Sequence, residues 1–364
     1  MKFIVERESL LGALQAAIGV VERRQTMPIL ANVLLAVRDG RVSVTATDLE
    51  VELVAQAVIT SGGEGAMNVP GRKLLDICRS LPEKVSLTVA TEGERAVIRA
   101  GKSRFTLTTL PASEFPVVDE INEQQALELP QADLKRLLDK THFSMAQQDV
   151  RYYLNGMLLE SDGKMLRTVA TDGHRLALCE MELASRGKGQ QIIIPRKGVL
   201  ELQRLLGSEG AVTVTIGTNH IRAQIGDIRF TSKLIDGRFP EYSRVIPAKP
   251  PRVVLADRDP LRASLHRAAI LSNEKYRGIR LTLRNEVLTI QAHNPEQEEA
   301  VEELEVTYRG EDLEVGFNVN YLLDALAAVD GSEVEVGLTD GNSSCLVHAP
   351  GSTSARYVVM PMRL

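Results

Sequence analysis

Ala170-Thr171-Asp172-Gly173-His174-Arg175-Leu176-Ala177-Leu178 decides the fold, because related stretches stand on both sides of it. Ala46-Thr47-Asp48-Leu49-Glu50-Val51-Glu52-Leu53 lies 124 positions earlier, and Ala292-His293-Asn294-Pro295-Glu296 lies 122 positions later. A chain of 364 residues thus reads as one unit of about 120 residues written three times, and such a repeat fixes the architecture in which every other motif sits. Further landmarks keep the same order. Leu10, Leu134 and Leu261 are spaced by 124 and 127, Val69-Pro70, Ile194-Pro195 and Phe317-Asn318 by 125 and 123, and Arg104-Phe105, Arg229-Phe230 and Arg356-Tyr357 by 125 and 127. The boundaries fall near 124, in Asn122-Glu123-Gln124-Gln125, and near 250, in Pro247-Ala248-Lys249-Pro250-Pro251, giving domains 1–124, 125–250 and 251–364.

Inside each copy the hydrophobic period alternates between helix and strand. Residues 5–20 put Leu10, Leu14, Ala17 and Ile18 on one helical face with Ser9 as the cap. Two period-two runs, 32–37 and 41–46, flank Asp39-Gly40, a strong hairpin signal. A strand over 51–59, a helix over 71–81 and strands over 85–90, 95–100 and 104–109 follow. The second copy repeats the order with a helix over 130–143 and strands over 150–160, 165–171 and 175–181. The expected class is α+β: three tandem domains, each two helices packed on antiparallel sheets.

Composition narrows the function. With 44% hydrophobic and 25% charged residues the chain has the make-up of a soluble globular protein. No apolar run is long enough for a membrane span, and Met1–Glu8 turns to charge where a signal peptide needs an apolar core, so the expected location is cytoplasmic, away from membranes. Cys78, Cys179 and Cys345 are odd in number and far apart, which suggests neither a disulfide framework nor zinc. Gly101-Lys102-Ser103 lacks the upstream glycine of a phosphate loop and lies between strands. His174 beside Asp172 has no nucleophile in an elbow motif to serve. The expectation is no catalytic residue, no metal and no cofactor.

The net charge of −5 alone speaks against a nucleic-acid partner. Its distribution differs. The six helical windows (5–20, 70–81, 130–143, 194–206, 257–270 and 317–329) hold 13 Lys or Arg against 9 Asp or Glu, a balance of +4, so the remainder sums to −9. Two readings stand: solvated helix faces, or cations pointed at a common polyanion such as a phosphate backbone, in contacts that are sequence-independent and salt-sensitive.

The stretch Ala170–Leu176, together with Asp149–Met157 (DVRYYLNGM), Asp236–Pro240 (DGRFP), Leu271–Lys275 (LSNEK), Asn294–Ala300 (NPEQEEA) and Tyr357–Leu364 (YVVMPMRL), resembles the bacterial DNA polymerase III beta subunits, the sliding clamps, of the gamma-proteobacterial type. The resemblance runs through all three repeats. It implies a head-to-tail homodimer forming a six-domain ring around double-stranded DNA, with no sequence preference, joined through strand residues around Phe105 and the apolar Ile270 and Leu271. It implies a groove for short peptides of the clamp loader, the DNA polymerase III catalytic subunit and other polymerases or repair proteins. The matching groove positions are Leu154, Thr171, Gly173, His174, Arg175, Leu176, Pro240, Val245, Ser344, Val358, Met360, Pro361 and Met362. The matching DNA contacts are Arg24, Arg72, Gln148, Tyr152 and Tyr153. Taken without the resemblance, Phe105, Ile270 and Leu271 equally suit core packing, and Val358–Met362 a buried strand. A monomeric scaffold binding only proteins and a nucleic-acid-processing enzyme are the alternatives. Truncating 358–364 is expected to abolish peptide binding and leave the dimer intact.

Overall fold

The computed structural model describes residues 1–21, 27–118, 121–184 and 188–363. Helices α1 (Arg7–Ala17), α2 (Gly71–Ser80), α3 (Gln131–Asp139), α4 (Arg196–Leu205), α5 (Arg258–Ala269) and α6 (Val319–Ala328) fall in the six expected windows. Each is entered directly from a strand: Lys2–Glu6, Gly65–Pro70, Glu123–Pro130, Gly189–Pro195, Arg252–Asp257 and Leu313–Asn318. The half-repeat is therefore strand, helix and three strands. Ser9 is not the cap expected of it, since α1 already begins at Arg7 and its N-cap Glu6 makes no side-chain capping bond. The expected strand over 150–160 forms only from Gly156, because Tyr152–Asn155 is a 3-10 turn. Asn155 closes that turn by accepting the Asp149 N–H (2.9 Å) and donating to the Asp149 carbonyl (2.9 Å).

Two compact units result, and they divide the middle repeat between its halves: 1–135 with 197–234, and 136–196 with 235–364. The first unit holds an eight-stranded sheet in the order 123–130, 211–217, 220–225, 228–233, 51–58, 41–47, 32–38, 65–70. At its centre a strand of the second repeat meets one of the first, with Phe230 opposite Leu53 and Arg229 opposite Val54. The second unit holds a sheet with the equivalent run 189–195, 156–162, 165–171, 175–182, 355–359, 345–348, 333–338, 252–257, plus the short strand 307–308. Here the second repeat meets the third, with Tyr357 opposite Ala177 and Leu178 opposite Arg356. Phe230 and Tyr357 are buried in these joints.

Each unit also carries half of such a sheet. In the first, strands 2–6, 86–92, 95–100 and 103–108 run in that order, ending at the open edge 103–108; in the second, 313–318, 278–284, 287–293 and 299–305 end at the open edge 299–305. Gly101-Lys102-Ser103 lies at a hairpin between two of these strands, with Gly101 at φ +54.

Candidate functional site

The Ala-Thr-Asp stretch is a turn that launches the joint-forming strand in the first and second repeats. Thr171 Oγ1 accepts the Gly173 N–H (3.1 Å) and donates to the Arg175 carbonyl (2.6 Å), while Asp172 Oδ1 accepts the N–H groups of His174 (2.9 Å) and Arg175 (3.1 Å). Thr47 and Asp48 make the same four bonds to Leu49, Glu50 and Val51. Short side-chain acceptors stabilise such turns by standing in for backbone partners. Gly173 has φ +88, and a Cβ there would lie 2.9 Å from an Arg151 guanidinium nitrogen, so both backbone and space favour glycine. In the third repeat the turn is one residue longer: Asn294 Oδ1 accepts the Glu298 N–H (2.9 Å), and Gln297 takes the positive φ.

Beyond the turn, Leu176 pairs with Val358, and the Met360 N–H donates to the His174 carbonyl (2.9 Å). Leu176 and Val358 sit in one apolar cluster with Val169, Phe239 and Leu346, against which Tyr153 and Tyr242 pack. Leu154 is buried beside this loop, its carbonyl accepting the Ala146 N–H. Pro240 and Val245, which flank Tyr242, are exposed, as are His174 and Met360; Thr171, Gly173, Ser344, Pro361 and Met362 are half-buried, and the Met362 N–H donates to the Gly316 carbonyl. The structure thus brings Leu176 and Val358 together on two paired strands, with His174 and Met360 just beyond the strand ends. Beside Pro240 a pocket of about 230 Å3 opens between Phe239, Tyr242 and Glu160. Tyr242 donates to Glu160, and burial pushes its phenol pKa upward. Phe239 stood in a quoted motif but Tyr242 had no signal of its own.

Arg175 faces inward. Its guanidinium donates to Asp172 (3.1 Å), Asp324 (2.5 Å) and the Phe143 carbonyl (2.7 Å), and lies over the rings of Tyr321 (4.5 Å) and Phe143 (5.7 Å). It anchors the turn from beneath.

The loop before it carries the expected DNA contacts. Gln148 is exposed at φ +55, Val150 is 95% exposed and Tyr152 is 56% exposed, edge-on to Tyr153 at 5.8 Å. Tyr153 is half-buried and packs on the apolar cluster. Arg151 ties the loop to the turn, donating to both Asp149 oxygens and to the Asp172 carbonyl (3.3 Å). Its hydrogen bonds hold the Asp149 carboxyl down at about 2. Arg72 is exposed on α2 and donates to the Val21 carbonyl (2.5 Å); Arg24 lies outside the described residues.

Much of the helical basicity serves the fold. Lys135, Arg136, Lys140, Arg196 and Arg204 all donate to main-chain carbonyls, Lys197 pairs with Asp48 and Arg267 with Glu302. Lys73, Arg79 and Arg262 remain exposed, with no side chain paired to them among the described residues. Of the expected interface residues, Phe105 is half-buried on the open edge strand 103–108, Ile270 is 76% exposed just past α5 and Leu271 is half-buried.

Models of the N-terminal, central and C-terminal domains of the DNA polymerase III beta subunit match residues 1–119, 128–241 and 243–363. Beta sliding clamps of Pseudomonas aeruginosa and Escherichia coli (strain K12) are each 54% identical over the whole of both chains. The crystal structure of the DNA polymerase III subunit beta from Pseudomonas aeruginosa superposes with a TM-score of 0.98 at 53% identity, covering all of both chains. A sliding clamp of that organism bound to griselimycin superposes at 0.97 with 54% identity over the same span.

Proposed function

Because the chain belongs to the DNA polymerase III beta subunit family, we propose that the two open sheet edges close the ring through which it acts as a DNA sliding clamp. A closed ring cannot leave a duplex sideways, so a tethered polymerase re-engages at high effective concentration after each release. The chain tethers and does not catalyse, and it works in the cytoplasm.

The observation that carries this reading is that two equivalent joints lie within the chain and the parts of a third stand open. Strand 103–108 is the counterpart of 228–233 and 355–359, and strand 299–305 of 51–58 and 175–182. Transferring the register places Arg104 opposite the partner's Val301, Phe105 opposite the partner's Ala300 and Thr106 opposite the partner's Glu299. The edges are complementary in charge. One carries Arg104 beside Arg95 and Arg99, the other Glu299, Glu302, Glu303 and Glu305. Exposed edges invite strand addition, and opposite charge selects the partner. Two identical head-to-tail contacts then close a six-domain ring, with the domains meeting near 124 and 250.

Peptides of the clamp loader, of polymerases and of repair proteins dock over Leu176 and Val358, gripped by Met360, Val245, Pro240 and His174 and bordered by Leu154, Thr171, Ser344, Pro361 and Met362. An apolar cleft with few polar groups and a pliable Met suits several partners in turn. Arg24, Arg72, Gln148 and Tyr152 touch the phosphate backbone, weakly enough to permit sliding.

The experiment is retention. Loaded onto nicked circular DNA, the protein should stay bound through gel filtration and be lost once the circle is cut. Equal loss from both forms would refute the ring, and hydrolysis of nucleotide or DNA by the chain alone would refute the non-catalytic role.

A further inference from the structure

The joints between repeats recur in their helices as well as their strands. In the first joint the last turn of α4 meets the last turn of α1. Arg204 donates to the carbonyls of Gln15 (3.3 Å) and Ala16 (2.7 Å) and is steadied by Glu201, three positions earlier (2.9 Å). In the second joint Lys140, just past α3, donates to the carbonyl of Ala328, the last residue of α6 (2.5 Å). Both joints set a cation of the second repeat on the C-terminal carbonyls of a helix in a neighbouring repeat, in opposite senses, from α4 onto α1 in the first and from the end of α3 onto α6 in the second; unsatisfied oxygens and the helix dipole favour positive charge there.

α2 stands 125 positions before α4, so Arg79 occupies the place of Arg204 and Asp76 that of Glu201. α5 corresponds to α1 through Leu261 and Leu10, and buried Leu265 and Ala268 match buried Leu14 and Ala17. His266 and Arg267 then stand where Gln15 and Ala16 do. We propose that Arg79 is the cap of the third joint, its guanidinium donating to the main-chain oxygens of the partner's His266 and the partner's Arg267.

A compensating pair of sizes supports this. Gly19 sits so close to α4 that a Cβ would meet the Glu201 carboxylate at 2.1 Å. The equivalent residue is Phe143 in the second joint, where the Glu201 position holds Asp324, and Ile270 in the third, where it holds Asp76. Where the glycine is replaced by a large residue the acid at that position is one carbon shorter, which makes the room that Ile270 needs. The 76% exposure of Ile270 is then the exposure of a joint awaiting its other half.

The proposal rests on the ring closure above, and its test separates the two. The dimer dissociation constant is measured by sedimentation equilibrium without DNA, with thermal melting as the check on folding. Ile270→Asp should give monomers. Arg79→Ala should raise the constant on the order of a hundredfold, about a decade for each of two joints, as expected for a lost hydrogen bond to a charged group. Arg79→Lys should stay within a few-fold of the parent, since an ammonium also donates to helix C-terminal carbonyls, as Lys140 does in the opposite sense at the second joint. If Ile270→Asp dissociates the dimer while Arg79→Ala leaves its constant within twofold, the cap is refuted and the closure stands. If Ile270→Asp leaves the dimer intact, the closure fails and the cap with it.

Discussion

Arg175 commits its whole guanidinium to the protein, bonding Asp172, Asp324 and the Phe143 carbonyl between two aromatic rings. Its side chain is 13% exposed, and removing it takes the cation from Asp324, 46% exposed, and one donor from the Phe143 carbonyl, while Asp172 keeps the N–H groups of His174 and Arg175. Arg175→Ala should lower stability by about 1–3 kcal/mol in urea melts, in the range of lost hydrogen bonds to a charged group, and weaken peptide binding by loosening the turn. Arg175→Lys should rescue little, because an ammonium neither forks between acids nor stacks on rings; full recovery with Lys would show that charge alone matters. The residue was legible as a member of the repeated turn; its anchoring role was not. Asp324 lies 149 positions away and Phe143 in another helix's wake, and no local pattern joins them. The cysteines were easier, since their odd number and wide spacing discouraged a disulfide framework. Cys78, Cys179 and Cys345 are buried, and burial raises the thiols of Cys78 to about 11 and Cys345 to about 12. A thiol reagent at pH 8 should find almost no reactive group in the native protein and three after unfolding; rapid native labelling would contradict this burial.

Among the elements, helices were read well because their apolar faces repeat over about three turns, whereas each strand entering them runs into its helix with no loop between to mark where one period gives way to the other. The 150–160 segment misled for a different reason. Its first half is held by the Asp149–Asn155 bonds, which override the strand propensity of Val150, Tyr152 and Tyr153. Two turns share a second device. Asp149 is held near 2 by the side-chain hydrogen bond of Arg151, and Asp162 near 2 by the N–H groups of Met165 and Lys164. Both folded values are depressed below an unfolded value of about 3.9. Their contribution to stability is therefore complete above roughly pH 5 and is lost as pH falls towards 2. Melting temperature should hold steady with respect to these groups from pH 7 to 5, then drop, and Asp149→Asn and Asp162→Asn should each flatten the drop. An unchanged acid limb in both variants would show that these turns do not govern it.

In the whole molecule, the joint between the second and third repeats and the proposed peptide groove share one strand. Ala355–Val359 runs between 175–182 and 345–348, so Val358, proposed as the floor of the groove, is also an interior rung of the nine-stranded sheet. The sequence alone presented Val358–Met362 as either a pocket or a buried strand; the structure assigns the first two residues to the strand and leaves Met360, Pro361 and Met362 beyond it. Removing 358–364 would consequently cut into the joint as well as the groove, and the outcome expected from sequence, peptide binding lost with the dimer untouched, belongs to a shorter deletion. Taking away 360–364 spares every rung while removing Met360 and the Met362 bond to Gly316. That variant should melt within a few degrees of the parent and sediment as a dimer, because the proposed closure uses 103–108 and 299–305, while losing at least tenfold in affinity for a polymerase-derived peptide. Deletion from 358 should instead lower the melting temperature of the second unit by many degrees, as expected when a central strand loses its pairing on both sides. If the shorter deletion dissociates the dimer, the open edges are not the closing surfaces; if it binds peptide normally, the groove lies elsewhere than on the paired strands 175–182 and 355–359.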